Sequence, residues 1–298
     1  FLFTIYAFYC AIKIGFHWDT LTHFASGEKK LDYLFSLGKK DNFFHFDKYF
    51  PGISFAIFSF ILKFFPRQFH VEFFHILNFV FSFSAIIAFG NFIKIIFNRN
   101  IRDIFIIIIL SFAVFFGHMA INPKDAIVAS SYLYTYYYLI KYLKKQESFR
   151  NNFKNFFICS LLISFGTGIR LVYLSILLPL FLFIIYDIYF KKTLINKNFN
   201  KKNFYIDLIK ILVGAYIITV IFWPQTHSNI FILPFSILME SFNPQNSPIG
   251  VNFSILNGQI FDINQSPKSY FLVNFFFKTP EYILFLLVFF PVLYLINL

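Results

Sequence analysis

The chain has 298 residues, of which 58% are hydrophobic and 13% charged, with Lys+Arg 26 against Asp+Glu 14 and a formal net charge of +12. So few charges cannot solvate a globule of this length, which excludes a soluble α/β enzyme and makes lipid part of the solvent. The basic residues fall at alternate ends of apolar segments, as anchorage to one membrane leaflet requires, so the positive charge does not point to nucleic acid.

The first apolar run, 1–16, reads as a shortened membrane helix rather than a cleavable signal peptide. His17-Trp18-Asp19 follows it and opens a connection, 17–49, whose five acidic residues (Asp19, Glu28, Asp32, Asp41, Asp47) balance five lysines (Lys29, Lys30, Lys39, Lys40, Lys48). Within it, Leu21, Phe24, Leu31, Leu34 and Phe35 interleave with polar residues from about Thr20 to Leu37, a pattern suited to lying in the membrane interface. The next run, Phe50 to Phe65, is bounded by Pro51-Gly52 and Pro66-Arg67. Counted as a crossing it would invert every later loop, so it reads as a re-entrant or interfacial helix.

On a criterion of ~20 apolar residues per crossing, shortened within bundles, further spans are predicted near 71–97, 104–119, 126–141, 155–169, 171–190, 207–224 and 280–298. The connections 98–103, 141–154 and 191–210 carry the lysines and arginines, among them Arg99, Arg102, Lys144, Arg150, Lys191 and Lys202. By the positive-inside rule that side is cytoplasmic and the opposite side is external or periplasmic. Residues 224–279 have turn chemistry without periodicity: Trp223-Pro224, Asn243-Pro244, Ser247-Pro248, Asn257-Gly258 and Ser266-Pro267.

Cys10 and Cys159 lie in apolar runs without ligand spacing and read as packing residues, and Tyr132, Tyr134, Tyr136, Tyr137 and Tyr138 read as membrane-facing or packed aromatics. Part of the Phe, Ile, Asn and Lys excess has the look of an AT-rich genome. The expected fold is all-α, a polytopic transmembrane helix bundle with external interfacial helices and loops. It forms one domain over 1–298, and a start at Phe1 and a stop at Leu298 inside an apolar run lead us to expect trimming at both ends.

Four constellations carry the candidate chemistry, all on the predicted external side. Asp19, flanked by His17, Trp18, Thr20 and His23, stands just past the first span, where a carboxylate can serve as general base toward an acceptor hydroxyl or amine. His118 and Asn122-Pro123-Lys124-Asp125 mark the junction of the third and fourth spans, with Asp125 where a helix N-terminus favours negative charge. Gly166-Thr167-Gly168-Ile169-Arg170 offers close backbone approach and a guanidinium able to grip a lipid phosphate bidentately. Lys278-Thr279-Pro280-Glu281 reads as a helix start whose lysine can meet an anionic headgroup.

These elements resemble the GT-C class of membrane glycosyltransferases, which includes protein O-mannosyltransferases and bacterial aminoarabinose transferases. The matching features are Asp19 after the first span, the aromatic-Pro element Tyr49-Phe50-Pro51-Gly52, Asp125 opening the fourth span, Arg170 after a Gly-rich turn, Trp223-Pro224 and Lys278-Thr279-Pro280. Thr20 follows Asp19 where many relatives carry Glu. The resemblance implies transfer of a sugar, with inversion, from a polyprenyl-phosphate donor to a lipid, glycan or protein acceptor on the non-cytoplasmic face, here of a bacterial inner membrane. It makes Asp19 the base and Asp125 a second catalytic carboxylate that orients the site. Arg170 and Lys278 would hold the lipid phosphate, with His23, His118 and Lys124 as further substrate contacts. No Asp-x-Asp stands after the first span, so no metal is expected, and no other cofactor. A lipid or solute transporter, a flippase and a non-catalytic membrane scaffold are the alternatives. Transporters favour internal repeats and ionisable residues at the midplane, whereas the charges here sit at span ends.

Overall fold

The computed structural model describes residues 2–15, 18–97, 99–241, 253–262, 265 and 267–296. Among these the chain is all-α apart from one hairpin, with fourteen α-helices and two short strands. Each of the eight predicted spans is helical, but length and apolarity separate them. Three helical segments are long and apolar enough to cross a membrane: Arg67–Lys94, which takes in all but the last two residues of α4 (His70–Ile96), Tyr173–Lys191, which contains α10 (Tyr173–Tyr186), and α11 (Lys201–Ile221). Two bent pairs raise the number to five if each counts as one crossing. They are α5 (Arg99–Ser111) with α6 (Ala113–Ile121), bent by 72°, and α13 (Tyr270–Lys278) with α14 (Glu281–Ile296), bent by 110°.

The predicted crossing at 104–119 is therefore broken, at Phe112, whose backbone is extended (φ −72°, ψ 93°). Helix α1 (Leu2–Lys13) has 12 residues, about 18 Å at 1.5 Å per residue, well short of a ~30 Å hydrocarbon core. α9 (Phe153–Ile169) has 17, and α7 (Asp125–Lys144) has 20 but spends many of them on tyrosine, serine and lysine.

The amphipathic stretch after α1 forms α2 (Trp18–Phe35). The run read as non-crossing forms α3 (Ile53–Leu62), only 10 residues long, with Ile53, Phe55, Ala56 and Leu62 completely buried. Gly27 lets α2 lie directly on α3, because a Cβ there would collide with the carbonyl of Phe55. Helix α4 is the hub, packed by α1, α3, α5, α6 and α7, while α9 is sandwiched between α7 and α11. Ser160 and Ser164 fasten α9 to α11 by donating to the carbonyls of Ile211 (3.0 Å) and Ala215 (2.8 Å), the short-side-chain contact that lets apolar helices approach closely.

The connections gather at two ends. At the basic end lies the short α8 (Gln146–Arg150): Gln146 pairs with the backbone of Asn200, Arg150 with Asp207, and Lys144 donates to the carbonyl of Thr193. At the opposite end, segments 44–52, 166–172 and 223–240 meet. The last of these takes in all but the final residue of α12 (Leu233–Ser241), and later in the chain stands an antiparallel hairpin of β1 (Phe253–Leu256) and β2 (Gln259–Asp262). Asn257 and Gly258 close it with φ of 51° and 78°, the left-handed pair that a two-residue hairpin turn needs.

Candidate functional site

The site is built where α6 gives way to α7. Pro123 cannot continue a helix, and Asn122 turns the chain by accepting, through Oδ1, from the backbone N–H of Lys124 (3.0 Å) and Asp125 (2.9 Å). That fixes the orientation of the Asn122 amide, so its Nδ2 must be the donor to Asp125 Oδ2 (3.2 Å) and to His118 Nδ1 (3.1 Å). His118 thereby has Nδ1 as its acceptor nitrogen. On its other side Asp125 Oδ1 takes a bond from Arg170 Nη2 at 3.3 Å. The result is a chain, His118–Asn122–Asp125–Arg170, whose charged pair is open to the surroundings, with 64% of the Asp125 and 41% of the Arg170 side chain exposed.

Arg170 leaves the end of α9 in extended conformation (φ −137°, ψ 111°). Beneath it the aromatic-Pro element crosses α9: Gly52, with φ of 69°, donates its N–H to the carbonyl of Gly168 at 2.7 Å. Trp223 Nε1 donates to the carbonyl of Lys48 (2.9 Å), and the indole packs with Tyr49, Phe50, Leu171 and Ile237. Glu240 on α12 closes this layer, accepting from Lys48 (2.5 Å) and from the Tyr49 hydroxyl (2.8 Å). Those two bonds, Lys48 first, hold its carboxyl below the usual carboxylate range, and burial with the Glu240 contact pushes the Tyr49 hydroxyl up.

The first connection contributes a buried network. Asp47 accepts from Ser26, from Lys30 Nζ (3.0 Å) and from the N–H of Phe44 (2.9 Å), with Lys30 and Asp47 both inaccessible to solvent. Burial lowers the Lys30 ammonium below the ordinary lysine value, opposed by the attraction of Asp47.

The sequence-predicted residues thus divide. His118, Asp125 and Arg170 come together, with Lys124, largely buried, between Asn122 and Asp125. His23 is 3% exposed and stacked on Phe55 at 4.5 Å, enclosed by Phe46 and Phe50. Lys278 is exposed at the end of α13, and among the described residues no hydrogen bond or ion pair joins it to Asp125 or Arg170. Asp19 stands in the first turn of α2; its side chain, and all of His17, lie outside the described residues. Among the described residues no group of three His, Cys, Asp or Glu is placed to hold a metal ion.

One feature escaped sequence reasoning. Within the apolar segment 67–94, Asn78 and Ser82 are completely buried, as are Ser130 and Ser131 on α7, and none of these side chains has a hydrogen-bond partner among the described residues. Helices α4 and α7 run in parallel: Phe74 and Ile127 share one core cluster, Tyr134 donates to Ser84 (2.7 Å), and Tyr136 meets Phe92 (5.3 Å between centroids). Ser130 and Ser131 therefore lie at the level of Asn78 and Ser82, a polar seam beginning about one and a half turns below Asp125. Leaving such groups unpaired in an apolar interior costs on the order of 1–3 kcal/mol each, which argues for a polar occupant. The spacing of Glu72, His75, Asn78 and Ser82, three or four residues apart in an otherwise apolar run, is the signal that could have found it. A cavity of about 260 Å³ lies against the other side of the site, lined by Thr167, Leu171, Leu174, Trp223, Phe235 and neighbours. No protein-family model, curated protein or solved structure matches this chain.

Proposed function

We propose that the chain is a multi-pass membrane glycosyltransferase of the GT-C kind, moving a sugar from a polyprenyl-phosphate donor to a lipid, glycan or protein acceptor at the Asp125–Arg170 end of its bundle. All eight predicted spans then enter the bilayer, the shorter ones shielded by their neighbours, with that end outside and the lysine-rich end in the cytoplasm. The observation that carries the proposal is the placement of Arg170, an exposed guanidinium with a single carboxylate partner, one residue from Leu171 on the wall of an apolar cavity. A lipid phosphate can take the guanidinium while the first isoprene units take the cavity. The polar seam below Asp125 supports the same end as the place for a hydroxyl-rich group.

In the step itself Asp19 removes the acceptor proton, the acceptor oxygen attacks the anomeric carbon, and the bond from that carbon to the phosphate oxygen breaks. Arg170, aided by Lys278, takes up the charge gained by the departing lipid phosphate, and Asp125 holds Arg170 in place. Purified full-length protein should release polyprenyl phosphate from a labelled polyprenyl-phosphate sugar when an acceptor is supplied. Asp19→Asn should lower turnover by ~10²–10⁴-fold, the usual weight of a general base, and Asp32→Asn in the same connection should be mild. Equal turnover by the two variants would return Asp19 to a solvated surface role, and no turnover with any lipid-linked sugar would remove the enzyme.

The polar seam favours one second reading, a lipid or solute transporter, since polar groups inside an apolar bundle often mark a translocation path. Flux across proteoliposomes without sugar transfer is its signature.

A further inference from the structure

At the basic end, α7 finishes with Lys141 and Lys144 in its last turn, and Lys145 follows as its C-terminal cap. They line a cavity of about 570 Å³ whose remaining wall includes Phe92, Ile140 and Ile195, and no acidic side chain is in that lining. The wall is shaped by the fold. Buried Asp187 accepts from the N–H and hydroxyl of Thr193 and from the N–H of Leu194 (2.9 Å). Lys144 then donates to the carbonyl of Thr193 (3.0 Å), and the N–H of Asn196 to that of Leu143 (3.2 Å). Segment 193–196 is thus pinned over the end of α7, and Ile195 lines the cavity together with Phe92 and Ile140. The dipole of α7 adds negative potential here, which favours the lysines at this end of the helix.

We infer that this cavity binds the phosphate headgroup of an anionic phospholipid, the phosphate on Lys141 and Lys145 and the start of an acyl chain against Phe92, Ile140 and Ile195. Three cations beside an apolar wall, at the end of a helix buried among apolar neighbours, match a molecule that joins one phosphate to a hydrocarbon chain. A free phosphate shares the charge but has no use for the apolar wall. The site requires only that the chain sit in a bilayer, and it stands or falls apart from sugar transfer.

The test is native mass spectrometry of the detergent-purified full chain titrated with phosphatidylglycerol, phosphatidylcholine or inorganic phosphate. Phosphatidylglycerol should bind more tightly than phosphatidylcholine, and inorganic phosphate should not displace it at matched concentration. Lys141→Gln/Lys145→Gln, which keeps the Lys144–Thr193 bond, should weaken phosphatidylglycerol binding on the order of 30-fold, at the usual weight of a lysine near an anionic surface. Ile195→Asp, which keeps all three lysines and sets a carboxylate in the apolar wall, should weaken it as well. Lys191→Gln/Lys192→Gln removes as much charge outside the cavity and should leave binding unchanged. The inference is overturned if that control loses binding equally, if either cavity variant folds and binds like the wild type, or if inorganic phosphate competes fully.

Discussion

Two carboxylate–arginine pairs stand at opposite ends of α7, alike in chemistry and different in burial. Asp207 is 1% exposed and is held by Arg150 (2.7 Å), the Tyr142 hydroxyl (2.8 Å) and Lys210 (3.6 Å). Asp125 is 64% exposed and meets Arg170 at 3.3 Å. The first pair ties α8 and the end of α7 to α11; its carboxylate has left the solvent, so it depends on the cation that meets it. The second pair is solvated, contributes little to folding, and keeps its hydrogen-bonding capacity for a ligand. The same two residue types can therefore clamp helices together or stay open to the surroundings, and the accessibility of the carboxylate decides between them.

The sharpest way to break that comparison is Asp207→Ala. It strands Arg150 and Tyr142 and should cost ~3 kcal/mol of stability, toward the low end for a buried pair because Arg150 is one-third exposed. Denaturation in detergent checks it, with turnover per folded molecule unchanged. A cost as small as that of Asp125→Ala would erase the distinction.

Next in size is Arg170→Lys, which keeps the charge but loses the planar fork. Donor affinity should fall about tenfold while stability changes by less than ~1 kcal/mol. Binding of a labelled polyprenyl-phosphate sugar measures the first and denaturation the second. Intact donor binding in both Arg170→Lys and Arg170→Ala would end the phosphate assignment.

The smallest effect is expected at Glu240. Because its carboxyl is held below the ordinary value, the folded state binds fewer protons than the unfolded chain as the acid range is entered. Its contribution is present above the unfolded glutamate value near ~4.3 and fades as pH falls through the lower folded one. The difference in melting temperature between wild type and Glu240→Gln should accordingly be largest near neutrality and shrink below about pH 4. A constant difference across that range would mean that Lys48 and Tyr49 do not hold the ionised form.

Local pattern sufficed where a segment's partner is its own helix. The alternation of apolar and polar residues after Asp19 placed an amphipathic helix from about Thr20 to Leu37, and α2 occupies Trp18–Phe35. Pro51-Gly52 and Pro66-Arg67 bounded an apolar run, and α3 within it has 10 residues, seven of them buried. Pattern failed at Phe112, since the apolar composition of 104–119 is the same whether the helix is straight or bent by 72°. It was equally blind to the hairpin and to α12 and α13, which short apolar stretches between turns do not announce.

The sequence by itself determined the all-helical class and the presence of helices apolar enough to cross a membrane, because both follow from residue content and periodicity summed along the chain. It also determined the helix start at Asp125, since Asn122 and Pro123 act within a few residues. Only the tertiary structure decided that Arg170 reaches Asp125, that Gly52 bonds to Gly168, and that Trp223 caps Lys48. It also buried Asn78 and Ser82 on α4 and Ser130 and Ser131 on α7, while among the described residues no hydrogen bond or ion pair joins Lys278 to Asp125 or Arg170. Those contacts join residues tens to hundreds of positions apart, and which of many apolar helices pack side by side is settled by the fit of Gly27, Ser160 and Ser164 at close crossings, a steric matter that hydropathy does not record.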